Sequence, residues 1–183
     1  VMQPNPTGIP HALFGNTAPA PRKAATRQIL WDLTHGVLLA YQPSGSFSGA
    51  TSILGAEGYA TSTTTTSVAL IDLSPYDVIV VQIGACQNAP YTQDEVDALV
   101  HFVQRGGGLL ILGDNGGAWP THIDPVTQAF GTTTGGSVPN SPVTNFNALP
   151  IFRGVSRVDC GTPGALDSNL PSVSQAFAGT GET

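Results

Sequence analysis

The arrangement of apolar and polar positions divides the chain into short elements separated by turns. Residues 28–33, "QILWDL", form a brief apolar run with the length of a buried strand, and "THG" closes it with Gly36 free to turn. After the loop "QPSGSFSG", residues 48–57 put Ile53 and Leu54 on one side of small residues, which predicts a helix started by a serine cap. "YATSTTTTSV" is dense in β-branched threonine, so it predicts a strand, at an edge of the sheet, with a linker as the alternative.

"YDVIVVQIG", residues 76–84, carries Val78, Ile79, Val80 and Val81 in unbroken succession. A continuous apolar run suits a strand covered on both faces, so it belongs at the centre of a parallel sheet. Thr92 with Glu95 has capping-box spacing, and Val96, Leu99, Val100 and Val103 then recur at i, i+3, i+4 and i+7 up to Gly106. "LLIL" follows as another buried strand. Asp124 and Pro125 open a short helix reaching about Phe130. The order strand, helix, strand, strand, helix, strand predicts an α/β fold with a doubly wound, mainly parallel sheet in a three-layer sandwich. The organisation expected is an extended proline-rich arm over 1–26, the α/β domain over 27–160 and a loop-rich tail over 161–183 that is either truncated or completes a sheet with another chain.

Charge changes the picture next. Only 10% of the 183 residues are charged, the formal net charge is −6, and Lys23 is the single lysine. Scattered arginines on an acidic chain argue against nucleic acid, which needs clustered positive charge. No run reaches the ~20 apolar residues of a membrane span. A surface of Thr, Ser, Gly, Asn and Gln suits a secreted or cell-surface protein. Cys86 and Cys160 could close one disulfide in an oxidising compartment or remain buried thiols. No zinc-type ligand pair and no cofactor motif is read from the chain.

Parallel strands deliver their carboxyl ends to one rim. That rim collects Asp32, Thr34 and His35 after the first strand, Gly84, Cys86 and Gln87 after the central one, and Asp114 and Asn115 in the turn "GDNGG". The set forms a candidate ligand pocket. Cys86 with His35 would need a sharp elbow to act as a nucleophilic pair, and "GACQNAPYTQDE" is a longer loop. Asp32, His35 and Asp114 have ligand types for a divalent ion, although carboxylates at strand ends more often cap backbone amides. His11, His101 and His122 read as solvated or packing histidines, and Tyr41, Tyr91 and Trp119 as packing aromatics rather than a sugar platform.

The run "LSPYDVIVVQIGACQNAPYTQDEVDALVHFVQRGGGLLILGDN", with "ILWDLTHG" before it and "AFG" and "LPIFRGV" after it, resembles the class I glutamine-amidotransferase-like superfamily, the flavodoxin-like group that includes ThuA-like and intraflagellar-transport-type domains. The resemblance covers about residues 27–160 and implies the flavodoxin-like fold. It also implies a cysteine in a glycine-flanked elbow after "LLIL", where this chain has Gly113, Asp114, Asn115 and Gly116. With no thiol there and no match for the later His and Glu, amidase activity is not carried over. Three functions follow as expectations. The first is a non-catalytic extracellular module that recognises protein or glycan or assembles with itself. The second is a hydrolase of carbohydrate or amide substrates using Asp32, His35 and Asp114, with or without a metal. The third is a structural subunit of a surface layer or filament.

Overall fold

In a computed structural model of the chain, residues 26–82, 89–113, 122–137, 144, 153–158 and 164–168 are described. Four strands, β1 (Arg27–Asp32), β2 (Tyr59–Thr64), β3 (Val78–Gln82) and β4 (Gly108–Leu112), form one sheet in the order β2-β1-β3-β4. Every pairing in it is parallel, from Ile29 opposite Thr61 on one side to Val80 opposite Leu110 on the other. The fold is therefore α/β with a mainly parallel sheet, as the alternation of elements predicts. β2 lies at an edge and β3 inside, each in its expected place.

α1 (Ser48–Ala56) links β1 to β2, and α2 (Gln93–Gln104) links β3 to β4 in the opposite direction along the sheet. Right-handed crossovers that run opposite ways put their helices on opposite faces. The packing agrees, because side chains alternate along a strand. Leu30, Ile79 and Val81 join Val96, Leu99 and Phe102 of α2 and Val126 of α3 (Asp124–Ala129) in one cluster. Ile29, Trp31 and Val80 meet Phe47 and Leu54 in the other. Among the described residues the first cluster holds eleven buried residues and the second three, so the α2 face carries most of the apolar burial they contribute.

α2 forms where its sequence signals said. The Thr92 side chain accepts from the Glu95 amide while the Glu95 carboxylate accepts from the Thr92 amide, so the capping box closes. The helix stops at Gly106, whose φ of 91° suits glycine. Gly107 lies so close to the Phe102 ring that a Cβ there would collide with it. The paired glycines thus let the chain double back beneath α2 and enter β4.

Two details depart from the sequence reading. α1 has Phe47 at its N-cap with no side-chain cap bond, so the expected serine cap is not made. Phe47 instead packs its ring 5.2 Å from Trp31, trading a polar cap for apolar contact. The tail expected to be loop contributes β6 (Gly164–Ser168), which pairs antiparallel with β5 (Thr132–Ser137) in a separate two-stranded sheet. The arm over 1–25 and residues 169–183 lie outside the described residues, as do Cys86 and Cys160 and hence the question of their disulfide.

Candidate functional site

The winding reverses between β1 and β3, the position at which open α/β sheets place their ligands. Asp32, the last residue of β1, is fully buried at this point, on the α2 face by its alternation with Trp31. Its Oδ1 accepts from the Thr34 amide at 2.9 Å and from the Thr34 hydroxyl at 2.6 Å. Its Oδ2 accepts from the Tyr91 hydroxyl at 2.9 Å. Three short bonds to one carboxylate offset much of the cost of burying it.

Tyr91 immediately precedes the N-cap of α2 and is buried there with Val96, as in a hydrophobic staple. Burial, followed by the Asp32 charge and the hydrogen bond to it, raises the phenol well above its ordinary pKa. The hydroxyl is thus a fixed donor. Its ring lies against the His35 imidazole, centroids 3.9 Å apart.

His35 Nδ1 is 2.9 Å from the Ala89 carbonyl, and Nε2 is 3.4 Å from Oε1 of Glu95. The neighbouring atom is an acceptor on each side of the ring. Glu95 is itself heavily engaged. Oε2 accepts from the Thr92 amide and hydroxyl at 2.8 and 2.9 Å, and Oε1 accepts from the Ser67 hydroxyl at 2.7 Å. Burial pushes the Glu95 pKa up, but the hydrogen bonds from Thr92 and Ser67 and the nearby His35 outweigh it, and the net shift is downward.

That shift has a testable sign. A carboxylate whose folded pKa is depressed contributes stability above its unfolded pKa and loses it as pH falls through the folded value. The stability difference between wild type and Glu95→Gln is therefore expected to be full near neutrality and to shrink below about pH 4, under the ordinary glutamate range. Paired urea titrations across that interval check it, and a difference that grows on acidification would contradict the assignment.

On the other face, buried Gln82 at the end of β3 donates Nε2 to the Tyr41 carbonyl at 2.7 Å. This bond pins the single 3-10 turn over Leu39–Tyr41 to the sheet. Gly45 fits beneath it, where a Cβ would crowd the Leu39 and Ala40 carbonyls. Leu38, Leu39 and Tyr41 remain exposed on this braced turn.

Of the predicted rim residues, Asp32, Thr34 and His35 do come together. Cys86, Gln87, Asp114 and Asn115 lie outside the described residues, as does Trp119. His101 is exposed and His122 buried, its carbonyl accepting from the Tyr91 amide at 3.0 Å. Tyr41 is exposed whereas Tyr91 is buried, so the two form no common aromatic platform. The sequence reading missed Tyr91, Glu95, Ser67 and Gln82 as members of the site. For Glu95 the capping box was a signal for one oxygen only. Tyr91 lies 59 residues from Asp32, and no local pattern announces such a pair.

Among the described residues no group of three or more His, Cys, Asp or Glu side chains is arranged to hold a metal ion. No helix among them is long and apolar enough to cross a membrane.

No known family profile matches the sequence, and no curated protein matches it. Among solved structures, the chain is similar to a "putative thua-like protein" from Bacteroides uniformis ATCC 8492, at 17% identity and a TM-score of 0.49. The match covers 80% of this chain and spans 63% of the length of that one.

Proposed function

We propose that the chain is a non-catalytic α/β recognition module of a secreted or surface protein, a member of the class I glutamine-amidotransferase-like superfamily that lacks the nucleophile. It binds a protein or glycan at the strand-end rim beside β1 and β3. One observation carries the reading: the two buried carboxylates of the rim are engaged by internal donors. Asp32 accepts three hydrogen bonds, from the Thr34 amide and hydroxyl and the Tyr91 hydroxyl, and Glu95 accepts from Thr92 and Ser67 and lies against His35. A general base or metal ligand needs a lone pair directed at its substrate or ion. These oxygens are spent on holding the His35 loop and the start of α2 against the sheet. What the rim offers outward is a rigid frame with the apolar turn at Leu38, Leu39 and Tyr41 beside it. The charge-poor, Thr- and Ser-rich composition supports an extracellular setting.

A hydrolase built on Asp32, His35 and Asp114 would ask the fully buried Asp32 to give up one of these bonds. The two readings separate in one experiment. Neutral oligosaccharides and uncharged peptides are titrated into 15N-labelled protein while product formation is followed in the same tubes. The expected result is amide shifts concentrated at His35, Gly36 and Ala89 with every ligand recovered intact. Turnover that disappears in His35→Ala would replace the recognition reading with the catalytic one.

A further inference from the structure

Among the described residues β4 hydrogen-bonds to β3 along one side, and no strand lies beyond it. The Gly108 amide donates to the Asp77 carbonyl at 2.8 Å, which sets the phase of the strand. Gly108, Leu110 and Leu112 direct their backbone groups to β3, and Leu109 and Ile111 direct theirs outward. The side chains of Leu109 and Ile111 pack toward α2. Leu110, on the opposite face, is 48% exposed at the middle of the strand.

An apolar edge of this kind invites pairing, and proteins ordinarily blunt it with charge, proline or a bulge. Residues 106–113, "GGGLLILG", contain no charge and no proline, and the β3–β4 register runs without a shift. The opposite edge differs. β2 reads "YATSTT", partly exposed and polar, with Arg27 stacked over Tyr59.

We propose that the outer edge of β4 pairs antiparallel with β4 of a second copy of this chain, about a twofold axis through Leu110. In that register Leu109 faces Ile111 of the other copy and Ile111 faces its Leu109. Both residues already point their N–H and C=O outward, so the two pairs exchange four hydrogen bonds. Leu110 meets Leu110 in the non-hydrogen-bonded position, where opposing Cα atoms approach to ~4.5 Å. The two most exposed side chains of the strand thereby cover each other. A neutral seam lets two chains of net charge −6 meet without repulsion at the contact. Pairing like edge with like edge closes after two copies, whereas β4 on the polar β2 edge would propagate and set Leu110 among threonines. Five residues per copy bury far less than the ~1,600 Å² of a standard interface, so the dimer is reversible and concentration-dependent.

This names the partner for the assembly side of the recognition reading and rests on it. Sedimentation of the 183-residue chain over a range of concentrations should show a monomer–dimer equilibrium, and mixed isotope labelling should give Leu110–Leu110 contacts between copies. Leu110→Lys, at a half-exposed position, should keep the fold and weaken association by about tenfold or more through opposed like charges. Exchange of the Leu109 and Ile111 amides tests the phase. Protection that rises with protein concentration supports the pairing. Protection in a monomer shows the chain covering its own edge, and a monomer with both amides unprotected shows an edge left bare; either result overturns it. Because Leu110→Lys leaves His35 and the rim untouched, a monomer that still binds ligand there removes this inference alone.

Discussion

Asp32→Ala is expected to cost about 3 kcal/mol of folding stability, counted as one buried and two part-buried donors left without an acceptor, at ~1–3 kcal/mol for a buried one and less for the others. Three donors lose their partner at once: the Thr34 amide, the Thr34 hydroxyl and the Tyr91 hydroxyl. Tyr91 is 4% exposed, so its hydroxyl has no easy route to water. Relief from burying the carboxylate offsets part of the loss, which is why the sum of three is not expected. For a chain of this length the change corresponds to a fall of roughly 6–12 °C in Tm. Tyr91→Phe removes one of the three bonds and should cost a smaller part of that amount. The two effects should fall short of additivity in the double variant, since both break one shared contact. Urea unfolding of the four proteins of this cycle decides it. A loss below about 1 kcal/mol for Asp32→Ala would mean that the rim is held by other contacts.

The second large effect is expected at Leu99. This residue is fully buried on α2 within the cluster that includes Leu30, Ile79, Val96 and Phe102. Leu99→Ala removes three carbons from a close-packed site and should destabilise by about 3–4 kcal/mol through lost transfer energy plus the cavity left behind. Leu39→Ala, by contrast, alters a residue that is 74% exposed and should change stability by less than about 0.5 kcal/mol. The contrast guards against a trivial result, because both are leucine-to-alanine changes. Equal losses at the two positions would mean that the α2 seam is not the main source of cohesion.

The contrast between Leu99 and Leu39 also shows what a sequence can reveal. The i, i+3, i+4, i+7 pattern that selects Leu99 is a property of twelve adjacent residues, and so is the capping box before it. β3 was legible for the same reason: a strand sealed on both faces must be apolar throughout, and "VIVV" has no other economical reading. The parallel direction of the strands follows from the alternation of strands and helices, whereas their order is a finding of the structure. α1 gave a weaker signal, since "SGATSILGA" is built mostly of small residues and the ring that starts it belongs to Phe47. β6 was unreadable because antiparallel pairing with β5 joins segments about thirty residues apart and leaves no periodic mark in "GALDS".

The site divides in the same way. Asp32, Thr34 and His35 could be placed at the rim from topology alone, as neighbours at one strand end. Their chemistry could not, because it depends on Tyr91, Glu95 and Ser67, which arrive from other parts of the chain. A carboxylate at a strand end looks the same in sequence whether it faces a substrate or three internal donors. Only the long-range hydrogen bonds distinguish the two, and here they favour a supporting role for Asp32.

The unequal clothing of the sheet has a dynamic consequence. None of the residues of α1 is buried, and among the described residues the apolar cluster on its face has three buried members, Ile29, Trp31 and Val80. Detaching that helix exposes little apolar area compared with detaching α2, so among the described helices α1 should lift at lower free energy than α2, wetting the Trp31 indole while the α2 layer stays closed. The polypeptide accordingly has a built-in hierarchy of breathing, in which one side of the sheet samples solvent many times for each complete unfolding.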